Sequence, residues 1–219
     1  MKIGIIGAGH IGQALAKLAV AHGHSVIVSN SRGPETLTVL ADEIGCSVGT
    51  PVDAATFGEL VILSVPFKKV FEIKPTLLKG KIVIDTNNYY PDRDGKIADL
   101  DELRTTTSAM VSEHFSEARL VKAFNAILAA DLEMEAVIKS DRYMRYLPIA
   151  GDDEQAKKIV ARLHQQFGFG VVDAGSLEGS WRFERAKPAY CIPLDEVGLK
   201  DALKKAQRDI ELPHGSWRR

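Results

Sequence analysis

The chain of 219 residues has little cysteine: Cys46 and Cys191 are its whole complement. Two cysteines make neither a disulfide framework nor a metal site, so each is expected as a small buried or half-buried hydrophobe. Excess charge of either sign is also missing. Lys plus Arg total 28, Asp plus Glu 29, and the formal net charge is -1. That balance removes the bulk electrostatic argument for nucleic acid or an anionic membrane as main partner. No apolar run approaches the ~20 residues of a membrane helix. Gly4, Gly7, Gly9 and His10 break up the apolar stretch after Lys2, so no signal peptide is read there. The histidines show neither metal-ligand spacing nor a Ser-His-Asp arrangement. A soluble, cytoplasmic chain is the expectation.

What is present is ordinary globular material, 45% hydrophobic and 26% charged. At roughly 100–200 residues per domain the length implies one domain with a modest appendage. Such a chain should bury about 70% of its unfolded surface. Short apolar runs alternate with helical patterns. Strands are expected at Lys2–Ile6, Ser25–Ser29, Cys46–Val48, Leu60–Val65, Lys81–Asp85, Arg119–Phe124, Arg145–Ile149 and Val171–Asp173. Leu15, Leu18, Ala19 and His22 keep the spacing of a helix face, as do Leu37, Leu40, Ala41 and Ile44. Asp53 reads as the cap of a brief helix, 87–104 as a loop, Thr107–Phe115 as a helix, and a helical stretch runs through Val137. Asp152 and Asp153 precede an amphipathic helix, and Asp195–Ile210 reads as another. This alternation implies an α/β, Rossmann-like doubly wound sheet, mostly parallel, of about eight strands, with a short helical C-terminal extension. The expected division is 1–177 for the dinucleotide-binding domain and 178–219 for the extension.

In such sheets ligands bind beyond the carboxyl ends of the strands. After strand one comes Gly7-Ala8-Gly9-His10-Ile11-Gly12, the GxGxxG pattern, following a strand and opening a helix. Its glycines allow a tight turn, close approach of the backbone to a pyrophosphate, and close packing of helix on sheet. His10 stands out among the histidines because the loop brings it near the phosphates, where its backbone matters more than its ring. The acid that usually lies about 20 residues further on, at the ribose of NAD, is absent. Asn30-Ser31-Arg32 stands there instead, and an Arg fork suits the 2′-phosphate of NADP. Val65-Pro66 closes strand four, where proline either lays a flat apolar surface against a ring or simply stops the strand. Asn87 and Asn125 follow strands five and six, placed either to bind a ribose or carboxamide or to build turns. After strand seven comes Ala150-Gly151-Asp152, whose acid reads as a helix cap.

Taken together, these segments with Asp85-Thr86-Asn87-Asn88, Val121-Lys122-Ala123-Phe124-Asn125, Ala150-Gly151-Asp152-Asp153 and Val172-Asp173-Ala174-Gly175 resemble the coenzyme F420-dependent NADP oxidoreductases and their dinucleotide-binding relatives. The resemblance runs to about residue 177 and departs mildly at His10, where Asn is common, and at Ser176, where Pro is common. It implies an eight-stranded Rossmann fold, NADP(H) as cofactor, and hydride transfer at the carboxyl edge of the sheet to a flavin- or deazaflavin-like (F420-type) or other small acceptor. The implied cofactor set is Gly7, Ala8, Gly9, His10, Ile11, Gly12, Asn30, Ser31, Arg32, Val65, Pro66, Asn87, Asn125 and Ala150. The related domain of membrane ferric reductases passes electrons to a flavin; with no membrane helix, this chain is not expected to be such a metalloreductase by itself.

Trp181, Arg182 and Tyr190 of the tail suit a flat acceptor ring with polar substituents, or else pack the tail onto the domain or a second subunit. A flavin-like acceptor needs no protein acid; a carbonyl or imine would, and Tyr90 and Tyr190 are the candidates. Two rivals therefore stand beside the main reading: a small imine or carbonyl reductase resembling pyrroline-5-carboxylate reductase, and an NADP-sensing module without catalysis. A homodimer formed through the extension is expected.

Overall fold

The computed structural model describes residues 1–135, 144–213 and 215–216. Eight strands form one sheet: β1 (Lys2–Ile6), β2 (Ser25–Ser29), β3 (Ser47–Gly49), β4 (Leu60–Leu63), β5 (Ile82–Asp85), β6 (Arg119–Lys122), β7 (Tyr146–Gly151) and β8 (Gly170–Asp173). Their order is β3-β2-β1-β4-β5-β6-β7-β8. All neighbours are parallel except β6 and β7, which pair antiparallel through Val121 with Gly151 and Lys122 with Ala150. The chain leaves β1 for β2 on one side and returns to β4 on the other. That reversal opens a crevice at the carboxyl ends of β1 and β4.

The helices are α1 (His10–Ala21), α2 (Thr38–Ile44), α3 (Pro51–Phe57), α4 (Phe67–Val70), α5 (Pro91–Asp94), α6 (Ala98–Asp101), α7 (Thr107–His114), α8 (Ala129–Glu135), α9 (Glu154–Gln166) and α10 (Glu196–Lys205). One apolar layer packs Leu15, Ala19, Val160 and Phe167 against Ile3, Ile5 and Ile62. The other packs Ala54, Phe67, Val111 and Phe115 against Ile6, Val61 and Leu63. Both sheet faces are thus covered, which is why the strands are continuous apolar runs. A third cluster fastens Phe183, Tyr190, Leu199 and Leu203 of the tail onto Val172 and Ala174.

Several boundaries differ from the sequence expectation. Asp53 is not the cap of α3. Thr50 is, and Asp53 completes a capping box: its amide donates to Thr50 Oγ1 at 3.2 Å and its carboxylate accepts from the Thr50 amide at 2.8 Å. The 87–104 segment contains α5 and α6, each one turn and too short to show a period. β6 stops at Lys122 because Phe124 is left-handed, with φ +56°. α10 stops at Lys205 rather than Ile210, because Lys187 Nζ takes the carbonyls of Gln207, Arg208 and Ile210 at 2.8–2.9 Å. The end of the helical stretch expected through Val137 lies outside the described residues.

The antiparallel β7 has a consequence for the tail. β7 and β8 run opposite to the other strands, so Asp152 and Asp153 emerge at the far edge of the sheet. There Asp153 caps α9 and pairs with Arg119 at 2.6 Å. The tail leaves β8 at that same far edge and climbs back to the carboxyl ends of β5 and β6. It arrives where the Phe183 carbonyl accepts from Asn125 Nδ2 at 3.0 Å and the Cys191 amide donates to the Ala126 carbonyl at 3.0 Å.

Candidate functional site

The glycines of the first turn have separate jobs. Gly7 has φ +115°, and a Cβ there would lie 2.0 Å from the Ser64 carbonyl oxygen. A Cβ on Gly12 would lie 2.0 Å from the Gly7 carbonyl oxygen. Both are required by the fold itself. Gly9 is different: its backbone is extended, at φ -77° and ψ -178°, and a Cβ there meets nothing within 4 Å. Among the described residues, no strain or contact calls for glycine at that position. Gly9 is also the N-cap of α1, with no side-chain cap and no acid in the first turn. The positive end of the helix therefore faces open space, an arrangement suited to an anion.

At the end of β2, Asn30 folds the next turn. Its Oδ1 accepts from the amides of Arg32 at 2.9 Å and Gly33 at 3.0 Å, while its Nδ2 donates to Thr36 Oγ1 at 2.8 Å. Ser31 and Arg32 are left exposed at the lip. Among the described residues Arg32 has no ion-pair partner. Gly7, Ala8, Gly9, Asn30, Ser31, Arg32, Val65 and Pro66 all border one cleft of about 590 Å³, closed by Pro51, Lys69, Glu72 and Ile73. Nothing in the sequence marks Lys69 and Glu72, because they sit on and just after α4 rather than at a strand end.

The remaining expected cofactor residues lie elsewhere. Ile11 packs against the core and Gly12 is buried inside α1. His10 is exposed and borders a separate hollow with Gln13, Ala129 and Glu133. Ala150 is a buried β7 residue paired with Lys122. Asn87 and Asn125 are buried beside the ends of β5 and β6, outside the cleft lining.

Those two strand ends carry a buried polar network. Lys122 Nζ, fully buried, contacts Asp85 Oδ2 at 3.3 Å and Thr107 Oγ1 at 2.9 Å, and donates to the Asn87 carbonyl. Asp85 also accepts from Ser108 Oγ at 2.5 Å and from the Asn87 amide and Nδ2 at 2.9 and 2.8 Å. Thr107 Oγ1 donates to Glu184 Oε1 of the tail at 2.5 Å. A lysine interrupting one apolar strand and an acid ending its neighbour were the available sequence signal. Asn88 Nδ2 donates to the Asn125 carbonyl at 2.9 Å, and Asn125 Nδ2 returns a bond to Asn88 Oδ1 at 3.1 Å. Asn125 Oδ1 is buried without a partner among the described residues.

The left-handed Phe124 stacks on His164, with centroids 3.8 Å apart and planes at 8°. Burial pushes the His164 imidazole down from 6.5 to about 4. Between those values the unfolded chain binds a proton that the native chain refuses, so stability falls as pH drops from about 6.5 towards 4. The full traverse is expected to remove about 3 kcal/mol. Urea midpoints measured against pH, flattened by His164→Phe, check this.

In the tail, the Tyr90 and Tyr190 hydroxyls meet at 2.5 Å. Arg93 and Arg185 lie over the Tyr90 ring at 4.7 and 5.8 Å from its centroid, and burial pushes the Tyr190 hydroxyl well above its ordinary range. Trp181 borders a second cleft of about 210 Å³, between the 89–107 segment and the tail, and has Lys187 and Arg208 each 5.9 Å from its ring. Arg182 donates to the carbonyls of Gly179 and Ala174, which fastens the tail to the end of β8. Cys46 is half-buried and Cys191 buried, the latter's thiol pushed up to about 12 by burial. Among the described residues no His, Cys, Asp and Glu cluster can hold a metal, and no helix is long and apolar enough to cross a membrane.

The long cleft, the unfilled space over Gly9, the uncapped α1 terminus and the cationic lip fit a phosphorylated dinucleotide. Comparison with known proteins agrees. Residues 2–89 match the family described as NADP oxidoreductase, coenzyme F420-dependent. The chain is similar to a hypothetical protein from Sinorhizobium meliloti, 32% identical, with a TM-score of 0.77, covering 89% of this chain and 94% of that one. A candidate F420-dependent NADP reductase from Arthrobacter sp. FB24, 23% identical, shares the fold with a TM-score of 0.69, covering 81% and 86% of the two chains. The metalloreductase STEAP3 of Rattus norvegicus is 28% identical over 199 residues, which are 88% of this chain. The chain spans 38% of the length of that curated relative. On its glycine turn, its sheet order and these likenesses, the chain carries over residues 2–89 the domain of the coenzyme F420-dependent NADP oxidoreductase family, a family of NADP-dependent oxidoreductases.

Proposed function

We propose that the chain transfers hydride between NADPH and a planar flavin- or deazaflavin-like acceptor. The observation that carries this reading is the cleft that joins the open Gly9 cradle to an Arg32 lip lacking the ribose-binding acid. When bound, NADPH supplies the hydride. Gly7, Ala8 and Gly9, with the free amides at the start of α1, hold the pyrophosphate. Ile11 and Gly12 seat that turn against the sheet, and His10 contributes its backbone. Ser31 and Arg32 hold the 2′-phosphate on the turn that Asn30 shapes. Val65 and Pro66 supply an apolar wall at the end of β4, where the proline offers no N–H. Asn87 is held by Asp85, and Asn125 by Asn88 and Phe183; both order the crevice edge beside Ala150, and Asn125 Oδ1 keeps an acceptor for a ligand amide.

The tail that climbs back from β8 covers the crevice, with Trp181 and Tyr190 on the acceptor side and Arg182 fastening the strap. We assign the same extension, 178–219, to a homodimer contact, which sedimentation would test. For a flavin-like acceptor the chain need only position the rings and exclude water. One observation favours a second reading, reduction of a small imine or carbonyl. The Tyr90–Tyr190 pair holds a buried, protonated hydroxyl that could serve as proton donor.

Arg32→Ala is expected to weaken NADPH by about 1.5 kcal/mol, roughly tenfold and the lower end of a charged hydrogen bond because the lip is exposed, while NADH is nearly unchanged. Calorimetry with both cofactors tests this; equal losses would defeat the 2′-phosphate assignment. NADPH oxidation screened against deazaflavin, flavins, quinones, ferric chelates and cyclic imines then separates the acceptors. Binding without turnover on any of them would point to a sensor.

A further inference from the structure

The cleft wall formed by α4 and the residues after it carries two charges that neither the glycine turn nor the Asn30 turn explains. α4 is a single turn whose Phe67 and Val70 are buried in the core, which leaves Lys69 outside. Lys69 and Glu72 both border the cleft that Arg32 borders. Lys69 Nζ contacts Glu72 Oε1 at 2.6 Å, with the two side chains 51% and 64% exposed. An exposed pair of this kind is worth little, so exchanging its partner costs little. A phosphate monoester carries about 1.5–2 negative charges near neutral pH, more than one guanidinium balances. Glu72 would then be a like charge beside it.

We propose that Lys69 is a second cationic anchor for the 2′-phosphate, and that Glu72 is its counter-ion in the ligand-free chain, exchanged when the phosphate arrives. This rests on the reading that the cleft takes NADPH. Discrimination between NADPH and NADH is then divided between two walls: Arg32, fixed by the Asn30 turn, and Lys69, mobile between two acidic partners. The charged groups bordering the cleft are Arg32, Lys69 and Glu72. Two cations meet the phosphate, and the single carboxylate limits rather than aids its affinity.

The test is calorimetry on the full chain with NADPH, NADH and adenosine 2′,5′-bisphosphate, for the wild type and for Arg32→Ala, Lys69→Met, Lys69→Arg and Glu72→Gln. Lys69→Met is expected to weaken NADPH and the bisphosphate about 3- to 10-fold, with NADH held within about twofold. The NADPH salt dependence should become shallower in that variant. Lys69→Arg should restore most of the loss, and Glu72→Gln should tighten NADPH roughly two- to threefold while leaving NADH unchanged. Circular dichroism confirms that each variant is folded. An unchanged NADPH affinity in Lys69→Met, or equal losses for NADPH and NADH, overturns the assignment. If the wild type itself does not prefer NADPH, the cofactor reading falls first. If it does, and Arg32→Ala removes that preference while Lys69→Met leaves it intact, only the role of Lys69 falls.

Discussion

A Gly9→Val variant is expected to fold normally and to show no measurable NADPH binding. The two halves of that result have separate causes. Folding survives because Gly9 has an extended backbone open to any L-residue and a Cβ there touches nothing within 4 Å. Binding fails because the new side chain fills the space in which backbone amides at the start of α1 must approach a pyrophosphate. Gly12→Ala is the matching control with the opposite signature. Its Cβ would lie 2.0 Å from the Gly7 carbonyl oxygen, so α1 must move off the sheet and stability drops. Thermal melting and calorimetry on both variants separate a glycine needed for a ligand from one needed for packing. A folded Gly9→Val chain with wild-type NADPH affinity would move the phosphate site away from this turn.

Lys122→Met is expected to be destabilising by about 3–5 kcal/mol, as when one partner of a buried ion pair is removed. Lys122 and Asp85 are both fully buried, and the lysine also holds Thr107 and the Asn87 carbonyl. Methionine replaces the stem but leaves the Asp85 carboxylate with only the Asn87 and Ser108 donors. Because the network reaches Glu184 through Thr107, the loss should also loosen the tail over the ends of β5 and β6. Urea denaturation gives the first effect, and protease cleavage of the tail in the folded variant gives the second. A midpoint within about 1 kcal/mol of wild type would show that the pair contributes little net stability.

The proposed acceptor side depends on this tail. The Tyr90–Tyr190 pair and the Trp181 cleft both exist only where the tail returns to the 89–107 segment. Residues more than 90 positions apart meet there because β8 ends at the wrong edge of the sheet for a direct route.

By itself the sequence determined the parts of this protein whose causes are local. Apolar runs such as Leu60–Leu63 and Ile82-Val83-Ile84 mark buried strands because their side chains must be covered on both faces. Gly7-Ala8-Gly9-His10-Ile11-Gly12 marks the tight strand-to-helix turn because the whole pattern lies within six residues. Ser31 and Arg32 are legible for the same reason, standing one strand further on. The tertiary structure alone decided what depends on distant neighbours. Gly9 separates from Gly7 and Gly12 only when the space around each Cβ is known. Lys69 joins Arg32 only when the ends of β2 and β4 face one cleft. Asn87 turns inward onto the Asp85 carboxylate, which also holds Lys122 from 37 residues away, and Asn125 turns onto Asn88 and the Phe183 carbonyl, 37 and 58 residues away. Arg182 fastens the tail only where Gly179 and Ala174 present carbonyls to it. Periodicity and turn chemistry report a residue's own backbone, whereas the direction of β7 and the closure of these contacts are set by packing across the whole sheet.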